Sequence, residues 1–425
     1  MEKLITKFTE MNLTPEMMRG LKRMGFETPS PVQGEAICPM MDGKDLLVQA
    51  PTGTGKTAAF GIPIVENTDA RGKNIQTVIL CPTRELAVQT ATVLQQLVMY
   101  KPGVRILALY GGEYIGRQIT ALKRRPQIIV ATPGRFMDHM NRRTIRLGQV
   151  NCIVLDEADR MLDMGFRDDI AEILKNVPTE RQTVLFSATM PEEVKKIASA
   201  YQRDVQTIRV KQNKVEVRKI EQRYMELRQN AKLPELQALL AEKQWKRSIV
   251  FVGTKSMADT LSRQLTESGH PADALHGDLR QSQRDTVMRS YRSGRIRILV
   301  ATDVAARGID VDGIDAVVNF DIPQDCDSYT HRIGRTGRAG QSGLAYTFIY
   351  PRERAMLQKI MTVTKETILP AKPGMKPLYS EAPQRKKPAQ GKRGKPYAKN
   401  AGRPKSRNYA RIVTRNDHVF SQASA

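Results

Sequence analysis

Residues 45–60 read DLLVQAPTGTGKTAAF. The short apolar run at 45–49 predicts a buried strand, and Ala58-Ala59-Phe60 predicts the opening of a helix. A loop carrying two glycines therefore joins strand to helix. Gly53 and Gly55 let backbone N–H groups approach a phosphate with no Cβ in the way. The helix start adds the positive end of its dipole. In this P-loop pattern Lys56 is placed to reach the β/γ-phosphates of a nucleotide, and Thr57 to ligate Mg²⁺. Thr52 and Thr54 complete the loop, and Ala50 stands where a first glycine is usual.

Working outward, the same strand-then-helix unit recurs. TVILCP (77–82), ILALYGG (106–112), QIIVATP (127–133), NCIVLDE (151–157) and TVLFSAT (183–189) are near-continuous Val/Ile/Leu runs. Such runs mark parallel strands covered on both faces. Between them, stretches such as RELAVQTATVLQQLV (84–98) have helical spacing, which gives βαβ units with right-handed crossovers. The order then repeats in SIVFVGT (248–254), ADALHGD (272–278), ILVATDVAARG (298–308), AVVNFD (316–321) and GLAYTFI (343–349). This predicts an α/β protein of two similar doubly wound parallel-sheet domains. The boundaries expected are 1–34 for an N-terminal region, 35–208 and 220–369 for the two domains, 209–219 for a polar linker and 370–425 for a basic tail. Every motif of interest follows a strand, and ligands of such sheets lie beyond the carboxyl ends of the strands.

A P-loop needs a second metal ligand on a neighbouring strand. Asp156, directly after Cys-Ile-Val-Leu, supplies it, and Glu157 is placed to orient and deprotonate an attacking water. Near the N-terminus, Gln33 has the donor and acceptor for a bidentate pair with adenine N6 and N7, and Phe26 has a stacking face. HRIGRTGR (331–338) puts Arg332, Arg335 and Arg338 at a regular spacing of three.

Asp156-Glu157-Ala158-Asp159 spells the motif that names the DEAD-box ATP-dependent RNA helicases, and the chain ahead of its tail resembles them. Phe8, followed by GFETPSPVQ (25–33), is similar to their adenine-reading motif. The resemblance implies two tandem RecA-like domains, ATP and Mg²⁺ as cofactors, and RNA as partner. It implies RNA contacts at Pro82, Thr83, Arg84, Gly111, Gly112, Thr132, Pro133, Gly134 and Arg135 in the first domain. Thr254, Gly277 and Thr302 are the implied contacts in the second. Asp159, Ser187, Thr189 and His331 are implied to couple hydrolysis to unwinding, with His331 meeting Asp159. Arg335 and Arg338 are implied to be arginine fingers, and Gly308 and Asp310 to lie at the nucleotide, Asp310 on its ribose. Gly253 stands where the family commonly has Asn. By the same resemblance, the domains close on ATP and RNA together, bend one strand and part a short duplex without processive travel. Ribosome assembly and RNA decay are plausible settings.

Composition bounds the alternatives. Lys and Arg number 68 against 44 Asp and Glu, a net +24. Such an excess points to a polyanion, nucleic acid before membrane. Residues 370–425 hold 14 Lys and Arg against two acids, a net +12, so half the excess lies in the last eighth of the chain. That stretch has too little aliphatic surface to offset its ordering entropy, so a disordered phosphate-binding arm is expected, with a solubilising tail as the plainer reading. Only 5% of residues are aromatic, which suits a grip on sugar and phosphate without sequence preference. Cys38, Cys81, Cys152 and Cys326 lack metal or disulfide spacing, and the start lacks an apolar signal core. No apolar run reaches the roughly 18 residues of a membrane span, and a cytoplasmic location is expected. A DNA helicase and an RNA clamp or annealing protein with little unwinding remain as alternatives. Asp159 argues against the first. Intact Gln33, Lys56, Glu157, Arg335 and Arg338 argue against the second.

Overall fold

The computed structural model describes residues 5–51, 53–210, 220–228, 230–306, 311, 313–337 and 342–371. Thr52, Gly308, Asp310, Arg338, nearly all of the expected linker and all but the first two residues of the expected tail lie outside them.

Seven strands form the first sheet: β1 (Leu46–Gln49), β2 (Thr77–Leu80), β3 (Ile106–Leu109), β4 (Ile128–Ala131), β5 (Cys152–Leu155), β6 (Gln182–Ser187) and β7 (Gln206–Arg209). They are ordered β3-β4-β2-β5-β6-β1-β7. The second sheet contains β8 (Ile220–Glu226), β9 (Ser248–Phe251), β10 (Ala272–Leu275), β11 (Ile298–Ala301), β12 (Ala316–Asn319), β13 (Gly343–Ile349) and β14 (Leu369–Pro370). Its order, β10-β11-β9-β12-β13-β8-β14, is that of the first sheet strand for strand. Every pairing is parallel. The two sheets are the tandem RecA-like folds expected.

Both faces of each sheet are covered, which is why the strands read as unbroken apolar runs. Along β5, Cys152 and Val154 pack with the helices Lys56–Asn67 and Arg84–Leu97. Ile153 and Leu155 pack on the opposite face, against Met161, Ile170 and Ile173. Side chains alternate across a strand, so one four-residue strand serves both layers.

Three strands escaped the apolar pattern. β7 and β14 are edge strands, and β8 (IEQRYME) lies one place in from an edge. Fewer of their side chains are buried, so polar residues are admitted. Two boundaries shift accordingly. Arg209, assigned to the linker, closes β7 beside Gln49, and Pro370, assigned to the tail, pairs with Tyr224. Among the described residues no helix is long and apolar enough to cross a membrane.

Candidate functional site

The phosphate loop leaves β1 and enters the helix Lys56–Asn67 through Gly55, whose φ of 90° is left-handed. A side chain there is excluded twice. The backbone geometry disfavours it, and its Cβ would lie 2.5 Å from Gln33 Nε2. Lys56 is the first helical residue and is buried, yet its Nζ has no hydrogen-bond partner among the described residues. Asp156, directly after β5, is buried too, and among the described residues its Oδ1 is equally unpartnered. A buried ammonium and a buried carboxylate oxygen left open beside the half-buried Thr57 fit a magnesium-bound polyphosphate, the ligand that would complete both. Thr54 steadies the loop by donating to the Pro51 carbonyl at 2.8 Å.

Glu157 follows in the left-handed region at φ 53° and accepts a 2.9 Å bond from Arg160 Nη1. Burial raises the Asp156 carboxyl; Lys56 offsets this only in part, and Glu157 adds to it. At Glu157 burial opposes ionisation, but Arg160, Lys56 and Arg335 outweigh it and hold the carboxyl well below the usual range. Arg160 was not anticipated as a site residue. Its signal was available in the three-residue spacing from Glu157.

Gln33 lies against this loop. Its Oε1 accepts from Ser30 N–H at 2.9 Å and its Nε2 donates to the Gly55 carbonyl at 3.2 Å. One lone pair and one N–H remain for an adenine edge. Phe26 is half-buried, its ring 6.4 Å from the buried Phe8.

The residues expected to hold nucleic acid gather at helix starts beyond the strand ends. Pro82 and Thr83 follow β2, and the Thr83 hydroxyl caps the helix Arg84–Leu97 by accepting from Leu86 N–H. Thr254 does the same after β9, accepting from Met257 N–H at 3.2 Å. The two caps have nearly identical backbones, φ −128° and ψ 156° against φ −132° and ψ 155°. Thr132, Pro133 and Gly134 open the helix Pro133–Asn141. Free N–H groups at such starts suit phosphates. Arg135 donates to the Glu113 carbonyl and to Gln118 Oε1, fixing the turn after Gly111 and Gly112. Gly112 is left-handed at φ 87°. Gly277 follows β10 and is exposed; Thr302 follows β11 and is half-buried.

Of the residues expected to couple hydrolysis to unwinding, Asp159, Ser187 and Thr189 are joined by hydrogen bonds. Asp159 Oδ2 accepts from Thr189 N–H and Oγ1, both at 2.7 Å, and Asp159 N–H donates to Ser187 Oγ at 3.2 Å. His331 lies in the second lobe and feels the charges of Arg160, Glu157, Arg335 and Asp159. Arg335 Nε donates to the His331 carbonyl at 3.2 Å. Arg332 was singled out only for its spacing. It clasps Asp303 at 2.5 and 2.6 Å and lies over the Phe251 ring. Two further contacts join the lobes. Arg284 pairs with Glu85, its Nε at 2.7 Å, and Arg84 donates to Gln281 Oε1 at 3.4 Å.

Residues 30–197 match the DEAD/DEAH box helicase family and residues 231–340 the helicase conserved C-terminal domain. The chain is 50% identical over 358 residues to the DEAD-box ATP-dependent RNA helicase CshA of Bacillus subtilis, covering 84% of this chain and 72% of that one. It is 48% identical to the same helicase of Geobacillus kaustophilus, over 87% of this chain and 79% of that one. Its structure resembles S. cerevisiae Dbp5 bound to RNA and ADP BeF3, with a TM-score of 0.78 and 33% identity, over 86% of this chain and 95% of that one. Mss116p bound to ssRNA and AMP-PNP gives the same TM-score at 28% identity, over 87% and 79%. The chain belongs to the DEAD-box helicase family and is an ATP-dependent enzyme.

Proposed function

We propose that this protein is an ATP-dependent RNA helicase that grips RNA without sequence preference and opens short duplexes by closing its two lobes. One observation carries the reading: Arg160, which donates to Glu157 at 2.9 Å, lines one small cavity with His331, Arg332 and Arg335 of the other lobe. Groups from both lobes thus converge where a γ-phosphate would lie.

Lys56 and the N–H groups of residues 53–57 hold the triphosphate, Gln33 and Phe26 select adenine, and Glu157 orients the attacking water. Thr57 and Asp156 would hold Mg²⁺, which when bound neutralises phosphate charge and so favours attack. Glu157, held strongly acidic by its cationic neighbours, becomes a better base once the phosphates draw Lys56 and Arg335 to themselves. Arg335 stabilises charge that develops during transfer, and the resemblance gives Arg338 the same role. With the γ-phosphate gone, Arg335 loses its partner across the cleft and the closed state its advantage. Asp159, joined to both Ser187 and Thr189, passes that change from the acidic pair to the strand-gripping turns. Local opening without sequence preference suits ribosome assembly and RNA decay in the cytoplasm.

The test is ATP turnover measured with RNA, with DNA and with neither. Stimulation by RNA alone is expected. Equal stimulation by DNA would favour a general nucleic-acid motor. Turnover without strand separation on a short duplex would leave an RNA clamp.

A further inference from the structure

The matching strand order lets each residue of the first lobe's ATP site be traced into the second. β1 and β8 are counterparts: Ala50 N–H donates to the Ser187 carbonyl at 3.0 Å, and Leu227 N–H to the Ile349 carbonyl at 2.8 Å. The helix after β1 begins with Lys56, and the helix after β8 begins with Lys232. Asp156 N–H donates to the carbonyl of the last residue of β2, and Asp321 N–H to that of the last residue of β9. Lys232 thus stands where Lys56 stands, and Asp321 stands one residue beyond the place of Asp156.

Their states differ. Lys56 Nζ and Asp156 Oδ1 are buried and open. Lys232 is only 3% exposed, yet its Nζ reaches Asp321 Oδ1 at 2.9 Å, with the Tyr350 ring 4.3 Å and the Phe320 ring 5.4 Å away. The connecting segment 227–231 (LRQNA) holds no glycine. The second lobe's pair is closed on itself. It has another contact instead: Asp321 Oδ2 accepts from Gly253 N–H at 2.9 Å. Gly253 is the residue before Thr254, and it is the position that departs from the family's common Asn. Arg332 Nη1 also donates to the Asp321 carbonyl, at 2.6 Å.

From this we infer that Lys232 and Asp321 are positioning residues for RNA binding. The buried ammonium fixes the Asp321 carboxylate, and the carboxylate fixes the Gly253–Thr254 turn, so that a lysine–aspartate pair within one residue of the ATP pair's place serves the grip on RNA. The inference rests on the RNA role proposed for Thr254.

The experiment reads the RNA concentration for half-maximal ATPase activity in the full chain. Lys232→Met with Asp321→Ala removes pair and acceptor without leaving a buried charge alone. It should raise that concentration roughly three- to tenfold, the worth of about one hydrogen bond. The kcat at saturating RNA and the KM for ATP should hold. Lys232→Met with Asp321→Asn keeps an acceptor for Gly253 and should recover most of the loss. In a Thr254→Val background the Ala pair should lose most of its effect, since both changes act on one turn. A wild-type RNA requirement in the Ala pair, equal loss in both pairs, or full additivity with Thr254→Val would overturn the inference. Should the Ala pair not fold, Lys232→Met alone decides: the partly exposed Asp321 turns to water, and an unchanged RNA requirement sinks the idea. No effect of Thr254→Val by itself would remove that residue's RNA role and this inference with it. Absent RNA stimulation in the wild type would instead overturn the reading of the whole site.

Discussion

Glu157 occupies a backbone conformation that a non-glycine residue adopts rarely, at φ 53° and ψ 52°. Such strain persists only where surrounding contacts over-determine it, and here Arg160 and the start of a helix do so. Glu157→Gln keeps the shape and loses the basicity. ATP and RNA should still bind while turnover falls by orders of magnitude, leaving a long-lived closed complex in a filter-binding assay. Gln33 is tested by nucleotide choice. Gln33→Ala should weaken ATP more than GTP or CTP, because only adenine offers the matching edge; a uniform loss would make Gln33 a prop for Gly55. His331 is tested by pH. Burial first, then Arg160 and Arg335, lower it from 6.5 to about 4, with Glu157 and Asp159 pulling the other way. The unfolded chain therefore takes up this proton before the native one does. Its stabilising effect is complete above pH 6.5 and is lost as pH falls from there towards 4, at up to about 1.4 kcal/mol per unit. Urea midpoints at pH 7 and pH 5 should fall further apart in wild type than in His331→Gln.

Helix starts are the working elements at the next scale. Thr83 and Thr254 each begin a helix, with the hydroxyl accepting from the N–H three residues on. A capping threonine contributes about 1 kcal/mol. Thr83→Val should therefore lower stability by about that much and raise the RNA requirement, while Thr83→Ser should restore both. Recovery of stability without recovery of RNA affinity would separate the cap from the binding role. The second sheet makes the same point about strands. IEQRYME carries too many polar residues to read as a buried strand, yet β8 pairs along its full length with β13. Its place near the sheet edge, which no local pattern announces, is what admits those residues.

For the whole molecule, charge is the remaining lever. The 14 cationic side chains beyond residue 369 include none of the proposed catalytic groups. Deleting 372–425 should leave turnover at saturating RNA near wild type and raise the RNA concentration required. The salt dependence should flatten as well. Each neutralised phosphate on a single strand contributes a log–log slope of about −0.7, so roughly seven contacts would contribute about −5. An unchanged slope would make the segment a solubility device.

The chemistry proposed for this protein was legible in its residues because each motif is local. Glycines that admit phosphate, a lysine after them and acids after an apolar strand each state their purpose within eight residues. Strand identity was equally plain wherever both faces are covered, since burial on two sides demands an unbroken apolar run. The duplication was visible as an order of elements. What no local pattern carries is which distant groups meet. Arg284 and Glu85 are 199 residues apart, Asp159 and Thr189 are 30, and Lys232 and Asp321 are 89. A buried charge needs a partner, but the choice of partner follows from strand order and register. Only the packed chain decided that one lysine–aspartate pair stays open for a ligand while its counterpart closes on itself.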